Sequence, residues 1–464
     1  MKDLTQGRID LHLLRMSGAF LLNMLMGVLF SLANLYWVGH LGAHAQAAVV
    51  LAGLPVMLLL TLMPVVSVGA GIRIAHAVGA QDQPLAERIF NEAFGAALIG
   101  IAIVAAVAWT QRDAVGRLMT GDARTVALIA EYYRWFIPSV VVQLPLFVMA
   151  IALEFTGDVR AGTLAQTAVV VLNAVLAPVL MFGWLGLPPL GLTGTGLASF
   201  VACGLTMLGL AVYVARPGAY LRLRPTVWLS RPRELWSALK IGLPTGMEGA
   251  LVAGYLMVIA LLLRPFGAEE QAAFGIGHRI FQAALLPLMA LSSALGVLVG
   301  QSHGAGLHER VRATLRSGLL LGLAVAPVLL AVIEAFAPWI CARFSDDAAV
   351  IAAGSAFLRI GALTLIPSAI AYVAFAVLAG TGNTRPSLYT QLVYASLVVL
   401  PALLLASVPG FTPRWLWVVM VGAGCVQAAM AAYFLRRQFG PPALTATPPA
   451  ATTPAALPVT GTSP

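Results

Sequence analysis

Two long stretches of the chain contain no charged residue. The segment 16–72 runs for 57 residues without Asp, Glu, Lys or Arg, and the segment 161–215 runs for 55. A helix that crosses a bilayer needs about 20 apolar residues, so each stretch has room for two membrane spans and a tight turn. Only 10% of the 464 residues are charged, against about 25% in a soluble domain. The chain is therefore predicted to be an all-α polytopic membrane protein, which excludes a soluble enzyme, a nucleic-acid-binding protein and a secreted disulfide-bonded domain.

The hydropathy pattern predicts twelve transmembrane helices. They are placed at 16–38, 46–70, 91–110, 132–153, 163–183, 191–214, 236–263, 270–299, 315–341, 350–379, 387–408 and 415–435. An even number puts both termini on one side, where 18 of the 27 Lys and Arg residues then fall, against 8 on the other side and Arg279 within a span. Because basic loops stay in the cytoplasm, we expect both termini there.

The chain also matches itself at a fixed offset of 225 in the numbering, called the repeat offset below. Residues 41–48 align with 266–273, Gly79-Ala80 with Gly304-Ala305, and 156–160 with 381–385. Each half then has six spans in the same orientation, an arrangement found in secondary transporters that bind substrate between the halves. We expect an N-terminal lobe at 1–215, a basic cytoplasmic linker and the start of helix 7 at 216–240, a C-terminal lobe at 241–437, and a disordered Ala/Pro/Thr tail at 438–464.

These features, together with several short motifs, resemble the multidrug and toxic compound extrusion (MATE) transporters over nearly all of residues 10–437. The motifs include Val-Gly-His-Leu-Gly at 38–42, Gly-Ala-Gln-Asp at 79–82, Val-Leu-Asn at 171–173, Gly-Leu-Pro at 242–244 and Gly-Thr-Gly-Asn at 380–383. The resemblance implies a V-shaped pair of six-helix lobes around a central cavity, export of amphipathic, often cationic small molecules in exchange for H⁺ or Na⁺, and a monomer. The excess of Arg over Lys, 25 against 2, and the Ala-rich composition are typical of a GC-rich bacterial genome. We therefore expect a bacterial inner-membrane protein.

The acids that bind the coupling ion in members of this family are largely replaced in this chain. Family members usually place them in helices 1, 7 and 10, or in helices 1 and 5. The corresponding residues here are Asn34, Val252, Ser368 and Ala177, while Asn173, which accompanies the last of these acids in some members, is kept. The sequence therefore leaves H⁺ and Na⁺ open as the coupling ion.

Few charged residues remain inside the spans, and they are the candidate ion-binding groups. Glu248 follows Pro244 in helix 7, about 9 Å inside the membrane edge at 1.5 Å per residue, and a carboxyl at that depth is by default a functional candidate. Its counterpart at the repeat offset is Asn23, which could face the same cavity. Arg279 and His278 lie near the middle of helix 8. We expect Arg279 to pair with Glu248, either as a proton-controlled switch or as a fixed structural pair, with no contact as the third possibility.

Aromatic and acidic residues elsewhere allow two interpretations each. Glu154 and Glu334 lie near span ends and are expected to reach headgroups or loop partners, and His278 is expected to be structural more often than a proton carrier. Cation–π faces for a bound cation could come from Tyr36, Trp37, Tyr255 and Tyr372. Anchoring at the membrane interface explains Trp37 at least as well.

Four other classes of membrane protein are less favoured by the sequence. A lipid-linked saccharide flippase needs several Arg and Lys residues in its cavity, and this chain has only Arg279 at mid-membrane, so antiport is favoured with the flippase as the alternative. A membrane-embedded enzyme needs clustered Asp, Glu, His or Ser, and ATP-driven transport needs a phosphate-binding loop; neither is found. The loop at 76–84 lacks the signature of the major facilitator fold. We expect no cofactor and no nucleic-acid partner.

Overall fold

The computed structural model describes residues 4–440 except 61–62, 121, 187, 225, 227, 229–231 and 407, and its regular structure within those residues is helical. The predicted tail beyond residue 440 lies outside the described residues. The described part contains fourteen α-helices. They are α1 (Ile9–Gly39), α2 (Ala43–Leu60), α3 (Met63–Gly79), α4 (Gln83–Met119), α5 (Ala123–Phe155), α6 (Val159–Phe182), α7 (Gly191–Ala215), α8 (Pro232–Leu262), α9 (Ala268–Gly304), α10 (His308–Cys341), α11 (Ala348–Ala362), α12 (Leu365–Gly380), α13 (Arg385–Ala406) and α14 (Pro413–Phe439).

Ten of these described helices are long and apolar enough to cross a membrane singly: α1, α4 to α10, α13 and α14. The pair α11 and α12 forms an eleventh span that is bent by 50°. The bend falls at 363–364 because Pro367 has no backbone N–H and its ring clashes with the carbonyl of Leu363. At the predicted second span, α2 and α3 lie on either side of residues 61–62. The predicted all-helical membrane fold is confirmed, and every predicted span coincides with one of these helices or helix pairs.

The internal repeat is visible in the backbone as well as in the sequence. Left-handed φ angles occur at Gly42 and Gly267 (97° and 96°) and at Gly157 and Gly382 (86° each), two pairs separated by the repeat offset. A third pair is Gln81 (59°) and Gly306 (72°). Positive φ ends a helix and turns the chain sharply, so equivalent helices of the two halves end in the same way.

Both ends of the described chain converge on the start of α10. The guanidinium of Arg310 donates hydrogen bonds to the carbonyls of Leu4, Gln6 and Gly7, and Arg312 donates to the carbonyl of Phe439. The two ends of the described chain therefore lie at the same end of the helix bundle, which we call the terminus side.

The two halves, α1–α7 and α8–α14, contact each other mainly through α1 and α3 of the first and α8 and α9 of the second. The contacts lie on the terminus side, where a cluster of buried apolar residues that includes Leu13, Phe20, Leu291 and Leu298 joins α1 to α9. By contrast α2 and α11, which begin at the opposite side, pack on helices of their own halves. The halves are therefore closed against each other on the terminus side.

Close approach at this interface requires glycine. An added Cβ at Gly69 would lie 2.0 Å from the carbonyl oxygen of Ala238, and one at Gly242 would lie 1.8 Å from that of Val65. Small residues let membrane helices pack backbone to backbone, so these two positions set the separation of α3 and α8.

Candidate ion and substrate site

Glu248 lies one turn after Pro244 on α8 and is half-buried. Its Oε1 accepts a hydrogen bond of 2.5 Å from the Ser387 hydroxyl on α13. The Thr384 hydroxyl, one turn earlier in the chain, donates to the carbonyl of Ile241 and ties the same two helices together. The carboxyl is therefore held between α8 and α13 by a neutral partner.

Tyrosine side chains extend this site along both helices. Tyr255 and Tyr394 follow Glu248 and Ser387 by seven residues each, two helical turns that return to the same face. Their rings meet edge to face with centroids 5.4 Å apart. Tyr372 on α12 interacts electrostatically with Glu248 and with Tyr255. Glu248 and the three phenols thus form a polar cluster inside the second half.

Arg279 does not join this cluster. Among the described residues it forms no ion pair, and its side chain is exposed. The expected pair with Glu248 is therefore absent from this structure. Gly277 faces α11, where an added Cβ would meet the Phe357 ring at 2.4 Å. Residue 279 lies about 200° further around the helix, at 3.6 residues per turn, and so points away from that neighbour.

His278 packs its ring against Phe274, with centroids 5.7 Å apart. Its Nδ1 is buried and has no hydrogen-bond partner among the described residues. Asn173, on α6, is 1% exposed and donates to the Ser199 hydroxyl at 2.9 Å. Asn34, on α1, is half-buried. The structure therefore does not bring the two asparagines to Glu248, because they lie in the first half.

Asn23 also lies apart from Glu248, although it is its repeat counterpart. Its Nδ2 donates to Oε1 of Glu154 at 3.3 Å. Glu154 is 5% exposed, so the expectation that it reaches headgroups or loop partners is wrong. Gly162 on α6 makes the space, because an added Cβ there would lie 2.6 Å from the same Oε1. The sequence points to Glu154 but not to these surroundings, and the repeat offset gives no signal for its burial because the corresponding residue is Ala379.

An open pocket of about 580 Å³ lies at the end of α1 that is remote from the terminus side. It is lined by Leu32, Leu35, Tyr36, Gly39, His40 and Gln46. Tyr36 is 61% exposed, and its ring contacts those of Trp37 and His40, with centroids 5.0 and 4.8 Å away. The lining is apolar and aromatic, which suits an amphipathic cation.

Comparison with known proteins shows what the chain is similar to. The MatE family model matches residues 19–179 and again residues 244–404, two segments separated by the same repeat offset. A probable multidrug resistance protein NorM of Deinococcus radiodurans is 30% identical over 415 residues, which cover 87% of this chain and 90% of that protein. An FAD transporter of Shewanella oneidensis is 27% identical and covers 84% and 88%. The crystal structure of the Vibrio cholerae MATE transporter VcmN in the bent form aligns with a TM-score of 0.85 at 20% identity, covering 93% of this chain and 97% of that one.

Proposed function

The chain belongs to the MatE family of multidrug and toxic compound extrusion transporters, and from this we propose that it exports amphipathic, cationic small molecules across the bacterial inner membrane in exchange for H⁺. It is a multi-pass membrane transporter with two repeated halves, and not an enzyme. The exporter acts by alternating access, in which the two halves open on one side of the membrane at a time. It works as a monomer, as the resemblance to the family implies.

The observation that carries the proposal is the environment of Glu248. This carboxyl lies within a membrane-spanning helix, is hydrogen-bonded by Ser387, and forms no ion pair among the described residues. A carboxylate inside the bilayer without a permanently paired cation has a high free energy. The group therefore favours reversible binding of a cation. Among the described residues its hydrogen-bond partner is a single neutral hydroxyl, that of Ser387, and a proton needs no further oxygen ligands, so we favour H⁺ over Na⁺ as the coupling ion.

The side on which the halves are closed fits one state of an exporter's cycle. The excess of Lys and Arg on the terminus side supports a cytoplasmic location of that side. The structure would then be closed to the cytoplasm, with the aromatic pocket at Tyr36 facing outward. A cation released there leaves the cell as a proton enters.

Efflux of a cationic dye from energised membrane vesicles tests this function. Wild type and Glu248→Gln are compared under an imposed H⁺ gradient and, separately, an imposed Na⁺ gradient. We expect the H⁺ gradient to drive efflux in wild type and the substitution to abolish it. The control is Glu334→Gln, because Glu334 is half-buried and makes a long ion pair with Arg359 at 3.9 Å, and this variant should transport normally.

Two results would contradict the proposal. Efflux that survives Glu248→Gln would leave this carboxyl without a coupling role. If neither gradient moved any cationic dye in wild type, the lipid-linked flippase would become the better hypothesis. That alternative is less favoured here, because Arg279 does not join the polar cluster around Glu248.

A further inference from the structure

Glu154 and Glu248, two carboxyls inside the spans, lie at related but not equivalent positions of the repeat. The residues that correspond at the repeat offset are Asn23 with Glu248, Gly162 with Ser387, and Glu154 with Ala379. In the first half the acid comes from α5 and the neutral donor from α1. In the second half the acid comes from α8 and the neutral donor from α13. Each of these two carboxyls thus accepts a hydrogen bond from a neutral donor on a neighbouring helix, although the two acids do not correspond at the repeat offset.

Glu154 is the more deeply enclosed of the two acids. The Asn23 amide covers one side of its carboxyl, and the α6 backbone at Gly162 lies against it without a side chain between them. Among the described residues no Lys, Arg or His forms an ion pair with it. Burying a carboxylate with one amide donor and no cation is costly, so this enclosed geometry favours the protonated acid.

The charged and titratable groups on the helices packed against the end of α5 do not supply the missing cation. These groups are Glu87, Arg88 and Glu92 on α4, Arg73 and His76 on α3, Asp158 and Arg160 at the start of α6, Arg15 on α1, and His303 on α9, whose ring centroid lies 5.1 Å from that of His76. Glu87 pairs with Arg224, Arg73 with Glu234, and Asp158 accepts from the Tyr213 hydroxyl. The imidazole Nε2 of His76 lies 2.7 Å from the carbonyl oxygen of Gly380.

The residue after Glu154 takes part in closing the two halves. Gln301 on α9 is fully buried, and its side-chain amide donates to the carbonyl of Phe155 at 2.9 Å. The other end of the same side chain accepts from the backbone N–H of Leu4 at 3.3 Å. Separation of the halves on the terminus side would break the first bond and carry α9 away from α1 and from the end of α5. Water from that side would then reach the carboxyl.

We propose that Glu154 is a second proton-binding site, which holds its proton while the halves are closed on the terminus side and releases it to water on that side when they separate. On opening, the carboxyl O–H bond breaks and the proton passes to water, leaving a carboxylate that the Asn23 amide stabilises. On closing, the carboxylate takes up a proton before it is buried again. The inference rests on the proposed function in one respect, that the halves open and close on the terminus side.

The test measures the distance between the halves at acidic and alkaline pH in the purified, lipid-reconstituted protein, without any drug. Spin labels are attached to two introduced cysteines, Arg216→Cys at the end of α7 and Arg437→Cys on α14, because both positions are exposed. The background carries Cys425→Ser, since Cys425 is the exposed native cysteine among those described. Double electron–electron resonance then reports the closed and open populations. In wild type we expect the closed-state distance to be lost as the pH rises. Glu154→Gln should keep the closed distance at both pH values, while Glu334→Gln, the control variant of the efflux test, should retain the response to pH.

A second readout protects the test against misfolding of the glutamine variant. Infrared difference spectra should show a protonated carboxyl band that disappears on alkalinisation in wild type and is missing in Glu154→Gln. Asn23→Ala keeps the acid but removes its donor, so the pH midpoint of opening should move upward. A wild-type distance that ignores pH, a Glu154→Gln variant that opens like wild type, or an unmoved midpoint in Asn23→Ala would each overturn the inference. These outcomes need no transported drug, so they are distinct from a failure of ion-driven efflux, which would overturn the proposed function.

Discussion

Gly79 and Gly304 each pack against the backbone of the helix that carries the other. An added Cβ at Gly79 on α3 would lie 2.0 Å from the carbonyl oxygen of Gln301, and one at Gly304 on α9 would lie 2.1 Å from that of His76. The two glycines correspond at the repeat offset, and so do His76 and Gln301, whose carbonyls they approach. The contact is therefore reciprocal between the two halves. It can form only while both positions lack a side chain.

Substituting either glycine should therefore prevent closure on the terminus side. For Gly79→Ala or Gly304→Ala the clash is with backbone, and overpacking of this kind costs about 1–3 kcal/mol, which lowers the ratio of closed to open protein by about 5- to 150-fold. Dye efflux should fall accordingly, and cysteines placed at the interface should become reactive to a thiol reagent. Gly296→Ala is the matched control, because an added Cβ on α9 at that position meets nothing within 4 Å. Normal efflux in both interface variants would contradict this account of the contact.

Arg310 should stabilise the protein by holding the N-terminal segment. Its guanidinium donates to three backbone carbonyls, those of Leu4, Gln6 and Gly7, and hydrogen bonds from charged groups contribute about 1.5–3 kcal/mol each before losses elsewhere. Arg310→Ala should lower the Tm of the detergent-solubilised protein measured by intrinsic fluorescence. Arg312→Ala removes an exposed ion pair with Glu309, worth about 0–1 kcal/mol, and one long hydrogen bond to the carbonyl of Phe439 at 3.4 Å, and should change the Tm much less. Equal shifts in the two variants would show that the segment is not held in this way.

Tyr255 should contribute to substrate affinity through its ring and not through its hydroxyl alone. Cation–π contacts contribute about 0.5–2 kcal/mol, so Tyr255→Ala should raise the KM for a cationic dye by about tenfold, while Tyr255→Phe should stay close to wild type. Tyr389→Ala on α13 is the control, because that ring is 55% exposed and lies outside the cluster. If the KM of Tyr255→Ala equalled that of Tyr389→Ala, the prediction would be contradicted and Tyr255 would not belong to the substrate site.

Asp122 should stabilise the start of α5 at neutral pH but not in strong acid. The Thr125 hydroxyl and backbone N–H donate hydrogen bonds to its carboxylate and hold its pKa below the usual value. A lowered folded-state pKa means that the stabilisation is present above the ordinary carboxyl range and is lost as the pH falls through the folded-state pKa. Asp122→Ala should thus lower the Tm at neutral pH, and the difference from wild type should vanish in strong acid. A Tm difference that is independent of pH would indicate that the charge of the Asp122 carboxylate does not stabilise the start of α5.

The membrane topology could be predicted from the sequence because its causes are local. A span needs only a run of apolar residues long enough for the bilayer. The repeat was equally accessible, since the positions that turn the chain, such as Gly157 and Gly382, recur at a constant offset. Each of these features depends on residues that are close together in the chain or on a simple self-match. The bend between α11 and α12, by contrast, was not predicted, because other helices such as α5 and α10 continue through their prolines.

The partners of the polar side chains were decided by tertiary structure alone. Spacing along α9 could not show that Arg279 points away, because the direction of a side chain around its helix depends on which neighbour the helix packs against. In the same way, the absence of a side chain at Gly162, not any property of Glu154 itself, buries that carboxyl beside Asn23. The sequence thus determined how many apolar segments the chain has and where they begin and end, whereas helix packing decided which of their few polar groups meet.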